Sequence, residues 1–164
     1  MTVPSFANRR PAIALLLCVL LVFAIASLGA IAPPGEWYAG LRKPWFNPPA
    51  WVFGPAWTTL YLMIATATWM LWRAPAGAGR TRALRLNAVQ LVLNAAWTPL
   101  FFGLKLPGVA FIEIVLMWGF IAATIWAAWK VRRAAAWLLV PYLAWVTFAA
   151  TLNGCLWWLN RAGG

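Results

Sequence analysis

No charged side chain stands between Arg10 and Glu36, between Lys43 and Arg73, between Arg85 and Lys105, or between Arg133 and Arg161. The stretch from Lys105 to Lys130 is broken only by Glu113. A helix needs about 20 mostly apolar residues to cross the hydrocarbon of a bilayer, and each of these stretches can supply them. The apolar residues run without interruption instead of forming amphipathic stripes, so they are not the half-buried helices of a soluble domain. Only 9% of the chain is charged, against about a quarter in a soluble domain. The expected fold is all-α: one polytopic membrane domain over 1–164, a bundle of five transmembrane helices with a Trp/Pro-rich loop between the first two.

The spans are expected at about 12–32, 51–73, 82–104, 108–130 and 134–159. A cleavable leader is the other reading of the first, but its apolar run is longer than a usual signal-peptide core. The short connectors carry Gly, Pro and basic residues, as turns between spans do. Nine basic residues (Arg9, Arg10, Arg73, Arg80, Arg82, Arg85, Lys130, Arg132, Arg133) fall at the end holding the N-terminus, and four (Arg42, Lys43, Lys105, Arg161) at the other. By the positive-inside rule the N-terminus is cytoplasmic, and the 33–50 loop and C-terminus lie outside.

Composition excludes much. The chain has no histidine, and its only acidic residues are Glu36 and Glu113, which leaves no basis for a zinc site or a catalytic carboxylate pair. No metal site is expected. Cys18 and Cys155 both sit within apolar runs and read as buried hydrophobes. The net charge of +11 is explained by helix-end residues facing anionic lipid, so nucleic acid is not an expected partner.

Three sets of residues point to a binding site. On span three, Asn87, Gln90, Asn94 and Trp97/Thr98 recur every three or four residues and share one face. Lipid cannot satisfy such groups, so they turn inward, either as interhelical hydrogen bonds or as the wall of a cavity; for the stripe as a whole a cavity wall is expected. Trp57, Tyr61, Ala65, Thr68 and Trp72 share a face of span two, and Trp145, Ala149 and Asn153 one of span five. Trp51, Trp72, Trp129, Trp157 and Trp158 suit the interfacial belt instead. Pro99 and Pro141 are expected to kink their spans and free the carbonyls of Ala95 and Trp137. Glu113 is expected to reach interfacial water or to pair with Lys105 or Arg42. Gly119, Ala123 and Ala127 form a small-residue edge suited to close helix packing, within the chain or in a homodimer.

The motifs Trp37-Tyr38, Leu41-x-Lys43-Pro44-x-x-x-Pro48-Pro49 and Trp51-Val52-x-Gly54-Pro55-x-Trp57-x-x-Leu60-Tyr61 come in that order, followed by Gln90-Leu91-x-Leu93-Asn94-x-x-Trp97-x-Pro99-x-Phe101-Phe102-Gly103 and Pro141-Tyr142-x-x-Trp145-x-x-x-Ala149-x-x-Leu152-Asn153. Together they resemble the TspO/MBR family, the tryptophan-rich sensory proteins of bacteria and the translocator proteins, or peripheral-type benzodiazepine receptors, of mitochondria. The resemblance implies a five-helix bundle, commonly a homodimer, with a hydrophobic pocket under the first loop. It implies binding of tetrapyrroles such as protoporphyrin IX, haem-like molecules and other hydrophobic ligands, and a regulatory role in porphyrin or stress response. Pocket residues carried over are Trp37, Tyr38, Trp57, Asn94, Trp145 and Ala149. Tyr61 and Trp97 lie on the same faces, and Arg42 and Lys43 stand where they can pair with ligand carboxylates.

Some relatives degrade protoporphyrin in light, which would make Trp57 and Trp145 catalytic here. Transport of tetrapyrrole or lipid is the third reading. No cofactor is required by any of them. The family's sterol-recognition pattern is broken by Gly154 and Trp158, which argues against tight sterol binding. The bacterial cytoplasmic membrane is the expected location, with the outer membrane, reported for some relatives, as the alternative.

Overall fold

The structure, a computed structural model, describes residues 6–29 and 31–161. Its regular secondary structure is all helical, with no strand among these residues. There are seven α-helices where the sequence predicts five: α1 (Phe6–Arg9), α2 (Pro11–Gly29), α3 (Glu36–Gly40), α4 (Phe53–Arg73), α5 (Ala78–Thr98), α6 (Pro107–Trp129) and α7 (Arg133–Asn160). The additional two are short. One precedes α2 across the Arg10–Pro11 break, and the other lies in the Trp/Pro-rich loop. The five long helices correspond to the five expected spans; the expected first span, 12–32, includes Ala30, which lies outside the described residues.

The long helices form a closed ring in the order α2, α4, α7, α6, α5, with α5 returning to α2. Proline opens both α2 and α6 at the first helical position, where the missing N–H would have had no partner. Thr58, Thr59, Thr66, Thr68, Thr124, Thr147 and Thr151 each return their hydroxyl to the carbonyl four residues back, at 2.7–2.9 Å. Each of these helix hydroxyls is thereby satisfied without water.

The interior is mostly apolar but holds a seam of polar side chains, and the outer surface is apolar as well. Asn87, Gln90, Asn94 and Asn153 are buried, while Leu16, Leu20, Val92, Ile112 and Trp137 are exposed. An apolar outer surface of this kind suits a lipid surround. The helices α2, α6 and α7 are long and apolar enough to cross a membrane, and the chain is an integral membrane protein. The helix α5 falls short by composition because Arg80, Arg82, Arg85 and the interior amides all lie on it.

The two prolines sit in different local structures. Helix α7 continues through Pro141 without a break. At Pro99 the α5 ladder passes into a single π-turn, Pro99–Gly103, closed by Leu104 N–H donating to the Pro99 carbonyl at 2.8 Å. The wider turn accommodates a residue that cannot donate. Lys105, at φ 57°, then adopts a left-handed conformation to reverse the chain into α6.

Candidate functional site

At the end of the bundle opposite the N-terminus, the loop from α3 to α4 folds over the ring of helices and encloses a cavity of about 730 Å³. Its floor and walls come from α4, α5, the π-turn, α6 and α7, and its roof from α3 and the segment 43–50.

Aromatic pairs build the walls. Trp57 stacks on Tyr61, with centroids 5.2 Å apart and planes 25° apart, and stands edge-to-face with Trp145 at 6.4 Å and 83°. Across the cavity Trp97 stacks on Phe101 at 5.0 Å and 21°. Phe101 meets Phe102 at 4.8 Å, and Tyr38 of the roof meets Phe102 edge-on at 5.3 Å. Offset and edge-on pairs of this kind hold rings in fixed orientations.

Hydrogen bonds fix several of these rings. The Trp97 indole N–H donates to Asn153 Oδ1 at 3.0 Å, and Asn153 Nδ2 donates to the Pro107 carbonyl at 2.8 Å. Tyr61 Oη donates to Asn94 Oδ1 at 3.1 Å. From there one directed chain runs down the bundle. Asn94 Nδ2 donates to Tyr142 Oη (3.2 Å), Tyr142 Oη to Gln90 Oε1 (2.9 Å), Gln90 Nε2 to Asn87 Oδ1 (3.1 Å), and Asn87 Nδ2 to Thr68 Oγ1 (2.9 Å). Tyr142 is fully buried. The chain ties α4, α5 and α7 together beneath the cavity, where an unpaired amide would be costly.

Among the described residues three side chains carry buried polar atoms without a partner: Arg80 at its Nε, Trp145 and Glu113. The Trp145 indole Nε1 is buried with no acceptor, on a residue that lines the cavity. Both carboxyl oxygens of Glu113 are likewise buried without a partner. The expected pairing of Glu113 with Lys105 or Arg42 is therefore not made, because its α6 position turns it into the bundle instead of toward the rim.

The roof is held by its own polar contacts. Tyr38 Oη donates to Asn47 Oδ1 at 3.2 Å. Lys43 Nζ donates to the carbonyls of Ala39 (2.9 Å) and Leu41 (3.2 Å) and lies 4.8 Å from the Tyr38 ring centroid. Burial pushes the Tyr38 hydroxyl above its usual range, and the Asn47 hydrogen bond partly offsets that.

Of the residues singled out in the sequence, Tyr38, Lys43, Trp57, Tyr61, Asn94, Trp97, Trp145 and Ala149 line this one cavity. Trp37 and Arg42 do not. Trp37 backs the wall, edge-on to Phe101 at 5.8 Å. Arg42 is engaged through its backbone by Asn160. The polar stripe of span three divides: Asn94, Trp97 and Thr98 reach the cavity, whereas Asn87 and Gln90 are consumed in the hydrogen-bonded chain. Asn47, Phe53, Phe101, Phe102 and Met117 also line the cavity without having been predicted as site residues. The two phenylalanines are aimed by the π-turn, which an ideal helical periodicity does not describe.

Comparison with known proteins gives a consistent result. The TspO/MBR family model matches residues 14–159. The chain is 45% identical over 130 residues to a tryptophan-rich sensory protein of Cereibacter sphaeroides, covering 79% of this chain and 80% of that one. It is 43% identical over 158 residues to the translocator protein of Sus scrofa, covering 94% of each. It is 44% identical over 124 residues to the translocator protein of Homo sapiens, covering 74% and 73%. With the motif residues gathered around one lidded cavity and the match running almost from end to end, the chain belongs to the TspO/MBR family.

Proposed function

We propose that this protein is a membrane receptor or sensor that holds a flat hydrophobic ligand of the tetrapyrrole class in the lidded cavity, with a regulatory role in porphyrin or stress response. The observation that carries the reading is the cavity wall itself: two stacked aromatic pairs, Trp57–Tyr61 and Trp97–Phe101, around a volume in the range of small-molecule sites. Indole and phenol faces suit the faces of a macrocycle. The Trp145 N–H is buried without an acceptor, so a ligand carbonyl or carboxylate could satisfy it only if the indole turned toward the cavity. Lys43 at the roof supplies a cation for a propionate. The relatives' names, sensory protein and translocator protein, support a receptor role.

In this reading all five long helices cross the bilayer, the N-terminus is cytoplasmic, and the cavity opens outside. The protein resides in the bacterial cytoplasmic membrane and pairs as a homodimer, for which the exposed Gly119 leaves room on α6. No cofactor is required, and sterol is a poor ligand.

The test is titration of the detergent-solubilised protein with protoporphyrin IX, haem and a sterol, read by tryptophan quenching. Because the chain has no histidine, metal-free protoporphyrin is expected to bind about as well as haem. A strict requirement for iron, or tighter binding of sterol, would overturn the reading.

The edge-to-face contact of Trp57 and Trp145 on the cavity wall favours a second reading, light-dependent degradation of the bound porphyrin. Product formed under illumination should then vanish in Trp57→Phe or Trp145→Phe while binding persists. Full turnover in both variants would leave these residues as walls only.

A further inference from the structure

The end of the bundle opposite the cavity carries a cluster that ligand binding does not use. Lys130 Nζ lies 3.9 Å from the centroid of the Trp126 ring, and the guanidinium carbon of Arg82 lies 5.1 Å from the same centroid. Next to it, the guanidinium carbon of Arg133 lies 5.6 Å from the Trp129 centroid, and Trp129 meets Trp137 edge-on at 5.6 Å. Three helices contribute: Arg82 from α5, Trp126 and Trp129 from α6, and Arg133 and Trp137 from α7. Trp126, Trp129 and Trp137 are 52%, 41% and 61% exposed, so the rings face outward and not into the core.

Two cations on one indole repel each other, and cation–π attraction offsets only part of that. A bound anion would relieve that repulsion, and neither acidic side chain of the protein is near. Its two acidic residues are elsewhere: Glu36 opens α3 in the roof, and Glu113 lies near the start of α6, at the cavity end. An anion bound there would come from outside the protein.

The vertical order of the cluster identifies which anion. Trp126 sits one helical turn before Lys130, about 6 Å along the axis, so the exposed indoles lie toward the hydrocarbon and the cations lie beyond them. Indoles settle at the headgroup boundary, and cations just outside them stand at phosphate depth. We infer that Arg82, Lys130 and Trp126 form a specific site for the phosphodiester headgroup of an anionic phospholipid, with its acyl chains lying along the exposed faces of α6 and α7.

The test uses native mass spectrometry of the full-length protein in detergent, titrated with phosphatidylglycerol or phosphatidylcholine. Phosphatidylglycerol is expected to be retained in preference to phosphatidylcholine. The double variant Arg82→Gln/Lys130→Gln should weaken retention by at least about tenfold, the loss expected from removing even one hydrogen bond to a charged group. Arg9→Gln/Arg10→Gln makes the same charge change at the same end and should shift it less than about twofold. Arg82→Lys/Lys130→Arg should restore binding, which separates loss of charge from loss of fold. Equal losses in the two Gln pairs would reduce the effect to diffuse surface charge and overturn the site. So would equal retention of phosphatidylcholine, or displacement of the lipid by millimolar inorganic phosphate.

Discussion

The side chain of Asn160, in the last turn of α7, grips the backbone of Arg42 in the roof from both sides: it accepts from the Arg42 N–H at 2.9 Å and donates to the Arg42 carbonyl at 3.0 Å. A third bond, from Asn160 Nδ2 to the Leu156 carbonyl at 2.8 Å, fixes the amide on its own helix. The roof is thus fastened to the end of the chain by one residue. Asn160→Ala removes both contacts at a net cost of about 1–2 kcal/mol, felt by the roof and not by the helices. Hydrogen exchange of the amides in 37–52 is expected to accelerate about tenfold, with the unfolding midpoint of the bundle nearly unchanged. Unchanged exchange in the roof would show that the aromatic contacts alone hold it.

A harsher loss is expected one layer down. Tyr142 Oη accepts from Asn94 and donates to Gln90, so Tyr142→Phe strands two buried amide groups. Stranding a buried partner costs about 1–3 kcal/mol, with membrane measurements toward the lower end. Tyr61→Phe strands one partner, the Asn94 Oδ1 acceptor at the cavity end of the same chain, where Tyr142→Phe strands two, and should cost about half as much. Thermal unfolding in detergent should therefore rank wild type, Tyr61→Phe and Tyr142→Phe in falling order. Equal midpoints for the two variants would mean that the directed chain does not act as a unit.

The parts of this architecture that were legible in the sequence rest on regular periods. Uncharged runs gave the long helices, and helical spacing put Trp57 with Tyr61, and Trp145 with Ala149, on shared faces. Spacing also placed Asn87, Gln90 and Asn94 inside, yet it could not divide them into chain and cavity wall. That division depends on where Tyr142 of α7 reaches across, a contact between helices that no single-helix pattern encodes. Phe101 and Phe102 were hidden by the π-turn at Pro99, which departs from the 3.6-residue period. That Lys43 and not Arg42 lines the cavity goes with a tertiary contact that spacing does not encode, the grip of Asn160 on the Arg42 backbone from more than a hundred residues away.

The roof should respond to pH only at the alkaline end. Burial raises the Tyr38 hydroxyl above its usual range, so the folded state favours the neutral phenol. That contribution is complete below the unfolded value near 10 and is lost as pH rises through the higher folded value. Exchange in the roof should be insensitive to this group from pH 6 to about 9 and should speed up above about 10. Tyr38→Phe should abolish that part of the rise. A Tyr38-dependent transition below pH 9 would contradict the sign of the shift.

Helices α6 and α7 interlock through a reciprocal pair of glycines near the cavity end. A Cβ at Gly108 of α6 would come 2.9 Å from the Trp157 ring of α7, and a Cβ at Gly154 of α7 would come 2.9 Å from the Phe111 ring of α6. The two rings in turn pack on each other, with centroids 5.9 Å apart. Gly154→Ala must push Phe111 aside or part the helices, at about 1–3 kcal/mol for an overpacked contact. Parting them would also shift Asn153, the next residue, off the Trp97 indole and the Pro107 carbonyl that it joins. Gly108→Ala should cost less, because Trp157 is 40% exposed and can swing toward lipid. Gly119→Ala, where a Cβ meets open space, should be neutral or stabilising by up to about 1 kcal/mol through helix propensity. Unfolding midpoints in detergent should follow Gly119→Ala, Gly108→Ala, Gly154→Ala in falling order, with ligand affinity reduced in the last. A Gly154→Ala protein that melts at or above the wild-type midpoint would show that Phe111 yields without disturbing the helix pair.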